Sequence, residues 1–171
     1  AAEISKQARA IRAKLADHGL VAEFVAPRLW ESPKTIDGAY TANDPKMRQY
    51  AIDRSKKAAD IAQEVGCNLV VLWLAREGTY MREAKDAARA AHYMLEAVNA
   101  LLNYDKDLRI AIETKPNEPM DMAYIPTIGH ALALGSQSDD PQRVGCLVES
   151  AHAILAGLDP SDEMAFGLAF D

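Results

Sequence analysis

Cysteine is scarce. Cys67 and Cys146 are the only two in 171 residues, too few for a disulfide framework to stand in for a core. Each sits at the entrance to an apolar, strand-like run, so both are expected as buried thiols and not as a bridge. Basic charge is in deficit as well. Nineteen Lys and Arg face 25 Asp and Glu, for a net charge of -6 and an isoelectric point of about 5.2. That balance argues against non-specific binding to nucleic acid or to an anionic membrane surface. No apolar run approaches the roughly 18 residues of a membrane span. The opening residues show no secretory pattern, so a cytoplasmic protein is expected. Low-complexity stretches, internal linkers and convincing sequence repeats are all missing. What remains is 49% hydrophobic and 26% charged, enough for one domain, residues 1–171, with a real core.

The hydrophobic pattern alternates between helical and strand-like. Ile4, Ala8, Ile11 and Leu15 recur at helical spacing over residues 3–17, with Gly19 placed to end that helix. Leu20 to Val25 reads as a short strand, followed by a long loop rich in Pro, Gly and Asp. Asn43 or Asp44 can cap a second helix with Pro45 in its first turn; it runs to Val65 and stops at Gly66. Residues Cys67 to Leu74 are nearly continuous Leu and Val, as in a strand covered on both faces. A third helix is expected from about Met81 to Tyr104. A strand follows at 109–115, then a short helix from Thr127 to Leu134 ended by Gly135. A fourth strand is expected from Val144 to Glu149, and a last helix opens at Asp159-Pro160. Helix and strand alternating four times over implies a parallel sheet covered by helices.

The strand Arg109-Ile110-Ala111-Ile112-Glu113-Thr114-Lys115 ends oddly. Alternation puts Ala111, Glu113 and Lys115 on one face and Ile110 and Ile112 on the other. Pro116 cannot donate to a ladder, so the strand stops about where the charges begin. Two opposite charges beside a small residue suit a site opening at the strand's end. A Glu–Lys ion pair at a solvated strand end is the alternative. Glu149 holds the matching position one strand over, and neighbouring parallel strands lie about 4.8 Å apart. His152 follows three residues later. Two carboxylates and an imidazole in oxygen-rich surroundings suit Mg²⁺, Mn²⁺ or Co²⁺ better than a structural zinc. A helix-capping acid and an ordinary polar contact are the plainer readings of Glu149 and His152. Trp30 and Trp73 fall at strand ends on the same rim, where they would form an apolar wall around a ligand. His130, on the short helix, is read as structural, and His18 and His92 carry no chemical context.

Several motifs carry a family likeness. Glu113-Thr114-Lys115-Pro116-Asn117-Glu118-Pro119, Pro126-Thr127-Ile128-Gly129-His130-Ala131 and Trp73-Leu74-Ala75-Arg76-Glu77-Gly78 resemble the xylose isomerase-like sugar isomerases. So does Thr41-Ala42-Asn43-Asp44. Within that family, Met120-Asp121-Met122-Ala123-Tyr124 and residues 149–159 are more similar to bacterial L-rhamnose isomerases; Ala153 and Ile154 follow the histidine where xylose isomerases proper usually have an acid and an amide.

The resemblance implies a (β/α)8 TIM barrel with its site at the C-terminal face, of which this chain supplies about four strands. It implies reversible aldose–ketose interconversion by a 1,2-hydride shift with two divalent metal ions, Mn²⁺ foremost, with Co²⁺, Mg²⁺ or Zn²⁺ as alternatives. By resemblance Glu113 ligates the substrate-binding metal, Glu149 bridges both, and His152 ligates the catalytic one. Lys115 binds the sugar's O1, and Trp73 and Trp30 wall the carbons between which hydride passes. The implied partner is a monosaccharide, and a homo-oligomer is expected. A ketose 3-epimerase of the same barrel and a non-catalytic half-barrel are the rival readings. A whole barrel needs about 250 residues, and further family ligands lie on strands outside this segment. Both ends therefore read as cuts inside a longer protein, and 171 residues alone are expected to self-associate or fail to fold.

Overall fold

The structure, a computed structural model, describes residues 2–170. Six helices and three strands follow one another: α1 (Ala2–Asp17), α2 (Pro45–Val65), β1 (Leu69–Trp73), α3 (Ala87–Tyr104), β2 (Arg109–Glu113), α4 (Ile128–Ser136), β3 (Val144–Leu147), α5 (Ser150–Leu155) and α6 (Pro160–Phe170). Single turns of 3-10 helix lie at Pro33–Thr35, Arg82–Ala84 and Pro141–Arg143. The strands form one parallel sheet in the order β1-β2-β3. This is the architecture of a partial (β/α) barrel, with every strand followed by a helix.

Register fixes what stands beside what. Trp73 is level with Glu113, and Glu113 with Leu147. Val70, Leu72, Ile110 and Ile112 turn toward the helices and meet Ala59, Ala62, Met94, Val98 and Leu101 in one core. Burying each large aliphatic side chain contributes about 2 kcal/mol. Ala111 and Glu113 point to the opposite face and are half-buried.

Helix ends follow the local chemistry. Asp44 accepts from the Lys46 amide and Pro45 opens α2; Gly66, at φ +88°, closes it. At the end of α1 the Leu20 amide returns to the Leu15 carbonyl (2.9 Å) and the Gly19 amide to Ala16 (3.0 Å), with Gly19 in the left-handed region at φ +67°, a glycine-terminated helix end.

Four expectations are corrected. The first strand shrinks to a single parallel bridge, Val25 to Val70. The Val25 amide donates to Leu69 and its carbonyl accepts from Val71, but Pro27 has no donor and Arg28 adopts φ +47°, so pairing ends there. Helix α3 begins at Ala87, not near Met81, because the Asp86 carboxylate takes the Arg89 amide at 3.0 Å. Helix α4 continues through Gly135 to Ser136. A Cβ at Gly135 would lie 3.2 Å from Val144 Cγ1 and 3.3 Å from its carbonyl oxygen, so this glycine permits a close helix–strand approach and does not stop the helix. Strand β3 ends at Leu147, and Glu149 serves as the N-cap of α5.

Arg143 ties the far end of the sheet. Its guanidinium donates to the carbonyls of Asp105, Leu108 and Leu102, each at 3.1 Å, and to Asp140 at 2.7 Å. No helix among the described residues is long and apolar enough to cross a membrane. Neither cysteine is in a disulfide, and both are half-buried.

Candidate active site at the strand tips

Each of the six residues singled out in the sequence stands at or just past the C-terminal tip of a strand, or on the loop that faces those tips. Glu113 ends β2 and is level with Trp73 at the end of β1. Lys115, 8% exposed, lies just beyond, its amide held by the Ile125 carbonyl at 3.2 Å. Its ammonium is 6.0 Å from the centre of the Trp73 ring. His152, in the first turn of α5, lies parallel to Trp73 with ring centres 6.2 Å apart. Trp30 meets the other side of Trp73 edge-on at 5.5 Å and 73°, an arrangement aromatic quadrupoles favour.

The central pair is Glu113 and His152. The His152 Nδ1 is 3.6 Å from the Glu113 Oε1, beyond a hydrogen bond, and it is buried with no partner. Burial first, then the Lys115 ammonium, holds the imidazole below the usual histidine range, against the charge of Glu149 and a hydrogen bond to the Thr114 backbone. Below that range a histidine is neutral at pH 7, so this contact is not an ion pair. It sets a neutral imidazole nitrogen beside a half-buried carboxyl. Burial, and after it the charge of Glu149, push the Glu113 carboxyl above the usual carboxylate range, with the Lys115 ammonium opposing. Glu149 therefore acts on both members of the pair. Its Oε1 also accepts from the Ala151 amide at 3.1 Å, so the capping role and the site position coincide in one residue.

An imidazole nitrogen without a partner, a carboxyl 3.6 Å from it and a second carboxylate whose charge reaches both are groups of the kind that a divalent cation takes as ligands. Among the described residues no three His, Cys, Asp or Glu side chains are gathered closely enough to hold a metal ion by themselves. The buried Trp73 indole N–H and Asn117 Oδ1 also lack partners. Among the described residues, Trp73 at the end of β1 and His152 after β3 thus each carry a buried polar atom without a partner, which a polar ligand there would satisfy.

Two residues of this region escaped sequence reasoning as individuals. Glu77, in the turn after β1, is 2% exposed, and Arg76 beside it reaches the Trp30 carbonyl at 3.3 Å. Both sit inside the Trp73–Gly78 motif, but acids and arginines in loops ordinarily face water, and nothing local marks these as buried. His130 has the bland role expected: its Nδ1 bonds the Thr127 hydroxyl at 2.8 Å. Thr127 takes the N-cap position of α4 without a side-chain bond to the helix backbone; the Glu163 carboxylate serves the Ile128 amide instead, at 2.8 Å.

A parallel sheet wrapped by helices, with its polar and aromatic side chains gathered at the C-terminal strand ends, defines the barrel enzymes as a class. The chain belongs to the xylose isomerase-like TIM barrel family, whose profile matches residues 1–170. It is 35% identical over 155 residues to a xylose isomerase of Thermus thermophilus, an alignment covering 88% of this chain and 40% of that protein. The chain thus spans well under half the length of this curated relative. Among solved structures, it superposes on a 3-keto-D-glucoside 4-epimerase from E. coli with a TM-score of 0.77 at 11% identity, covering 98% of this chain and 62% of that one. A D-psicose 3-epimerase from Clostridium cellulolyticum gives 0.70 at 12% identity, over 97% and 55% of the two chains. At such identities these likenesses establish the fold.

Proposed function

We propose that the strand tips of this chain belong to a metal-dependent aldose–ketose isomerase of the L-rhamnose/L-rhamnulose type, acting on a monosaccharide in the cytoplasm. The observation that carries this reading is the unpartnered His152 Nδ1 facing the Glu113 carboxyl at 3.6 Å, with Lys115 and Trp73 beside them. Glu113 would hold one divalent ion, His152 a second, and Glu149 both, with Mn²⁺ the ion first to be tried. When bound, such ions polarise a carbonyl oxygen and lower the pKa of a neighbouring hydroxyl.

The chain's own residues do the rest. Lys115 presents a buried ammonium where charge builds on the sugar's O1. Trp73 and Trp30 cover the carbon skeleton and keep water from the migrating hydrogen. Glu149, capping α5, holds the backbone of the turn from which His152 projects. The L-rhamnose preference is supported by Met120–Tyr124 and by the Ala153-Ile154 pair after His152. The homo-oligomer expected of the protein stands with this proposal.

The likeness to a D-psicose 3-epimerase favours a second reading, proton transfer at C3 of a ketose. Lys115, two residues after Glu113, favours the isomerase, because a 1,2-shift needs a cation at O1. Tritium at C2 of the aldose, and in a second experiment at C3 of the ketose, separates the two in the intact protein with Mn²⁺. Transfer of the C2 label to C1 supports the hydride shift, washout of the C3 label to solvent supports proton transfer at C3, and no turnover of either sugar supports a non-catalytic barrel.

A further inference from the structure

The most buried carboxylate of the described chain lies behind the site. Glu77 follows β1 by four residues, and its side-chain hydrogen bonds go to the loop that enters α2. Oε1 accepts from the amides of Ala39 (3.1 Å) and Tyr40 (3.0 Å). Oε2 accepts from the amide (2.9 Å) and the hydroxyl (2.6 Å) of Thr41. Burying a carboxylate is costly unless its lone pairs are satisfied, and four donors converging on two oxygens satisfy them. The residue before it holds the other end of the same loop: Arg76 Nε donates to the Trp30 carbonyl at 3.3 Å.

Between these anchors the loop is folded onto itself. The Thr35 hydroxyl donates back to the Leu29 carbonyl, and the Gly38 amide to the Thr35 carbonyl at 3.0 Å. Gly38 has φ +101°, and a Cβ there would lie 2.7 Å from Thr41 Oγ1 and 2.9 Å from Lys85 Nζ, so the turn delivering Ala39–Thr41 to Glu77 requires glycine. The Tyr40 hydroxyl bonds Ser55 Oγ at 2.6 Å, fixing the loop to α2. One turn off β1 therefore presents Trp73 and, three and four residues on, grips the loop that brings Trp30 against it.

We propose that Arg76 and Glu77 form a positioning clamp that sets the Trp30–Trp73 wall and, through it, how tightly the site holds the apolar face of a sugar. The kinetic part rests on the isomerase reading; the grip on Trp30 does not. Glutamine is nearly isosteric with Glu77, but its NH₂ group cannot accept. Turned toward Thr41, it can serve the rotatable hydroxyl and still leaves the Thr41 amide unsatisfied; turned the other way, it faces two amides. Aspartate is shorter but still acceptor-only.

The test uses the intact protein and near-ultraviolet circular dichroism, with the band lost in Trp30→Phe defining the signal of the tryptophan pair. Glu77→Gln and Arg76→Met are expected to lose most of that band while remaining folded by far-ultraviolet measurement. Glu77→Asp should keep more of it than Glu77→Gln. With sugar, KM rises about tenfold, the size of a lost apolar contact in a pocket, and kcat changes less; Mn²⁺ affinity by calorimetry stays at the wild-type value. Should Glu77→Gln fail to fold, Arg76→Met and Thr41→Val, which removes one donor of four, carry the same test. An undiminished band in the folded variants overturns the clamp. Lack of turnover in the wild type overturns the isomerase reading and leaves the spectroscopic test in force.

Discussion

His152 Nδ1 and Glu113 Oε1 face each other at 3.6 Å, too far apart for a hydrogen bond. The imidazole is held neutral by burial and by Lys115, and the carboxyl is pressed upward by burial and by Glu149. Neither group relieves the other, and a cation between them would relieve both. The same register that levels Trp73 with Glu113 puts an aromatic floor under that meeting point.

Removing either donor should therefore act on metal binding first. Glu113→Gln and His152→Gln are each expected to weaken Mn²⁺ binding at least about 100-fold, since even residues that only support ligands are worth 10- to 100-fold. Isothermal titration of the intact protein measures it. Unchanged affinity in both variants would remove these residues from the metal site.

Lys115 is expected to act on the rate more than on binding. Lys115→Met keeps the stem over Trp73 and deletes the charge. The loss of one preorganised stabiliser of developing oxyanion charge predicts a fall in kcat of about 100- to 1,000-fold, read from steady-state kinetics with Mn²⁺ saturating. A change confined to KM would make Lys115 a substrate anchor only.

Much of this frame is legible in the residues. Asp44-Pro45 and Gly66 mark both ends of α2 with chemistry local to the backbone, and Gly19 ends α1 in the same way. Glu113 is legible because a strand's period is fixed, so a charge near its end announces a tip; Glu149 falls past the end of β3, where it caps α5. Glu77 is not legible, because its partners are backbone amides 36 to 38 residues earlier in the chain and amides have no sequence signature. The start of α3 at Ala87 departs from the expected one near Met81 for a related reason: Met81–Ala84 suits a helix by composition, and the Asp86 cap on the Arg89 amide decides the matter. Gly135 carries a helix-stop signature that tertiary packing against Val144 overrides.

The Asp86 cap has a pH signature. The hydrogen bond from the Arg89 amide holds its carboxyl below the usual aspartate range. A folded-state pKa below the unfolded one means the group's stabilisation is present above the unfolded value, about 3.9, and is lost as pH falls through the folded value. Asp86→Ala should lower the melting temperature at pH 7, and the gap to wild type should narrow as pH drops below about 4. Thermal melts across that range check it, and a gap independent of pH would mean the carboxylate charge contributes nothing.

Arg143 is a stability residue on the end of the sheet opposite the site. Arg143→Ala leaves the carbonyls of Leu102, Asp105 and Leu108 without their donor. A cost of about 2 kcal/mol follows from losing hydrogen bonds to a charged group, with water recovering part of it. Chemical denaturation gives the number, and kcat with Mn²⁺ is expected at the wild-type value.

The central claim is that Glu113, Glu149 and His152 close on divalent cations at the strand tips. Crystals of the intact protein grown with Mn²⁺, recorded at a wavelength where manganese scatters anomalously, test it most directly. The account predicts one anomalous peak in contact with the carboxylates of Glu113 and Glu149 and a second in contact with Glu149 and His152. Peaks confined to other residues, with Glu113 and His152 unligated, would contradict it.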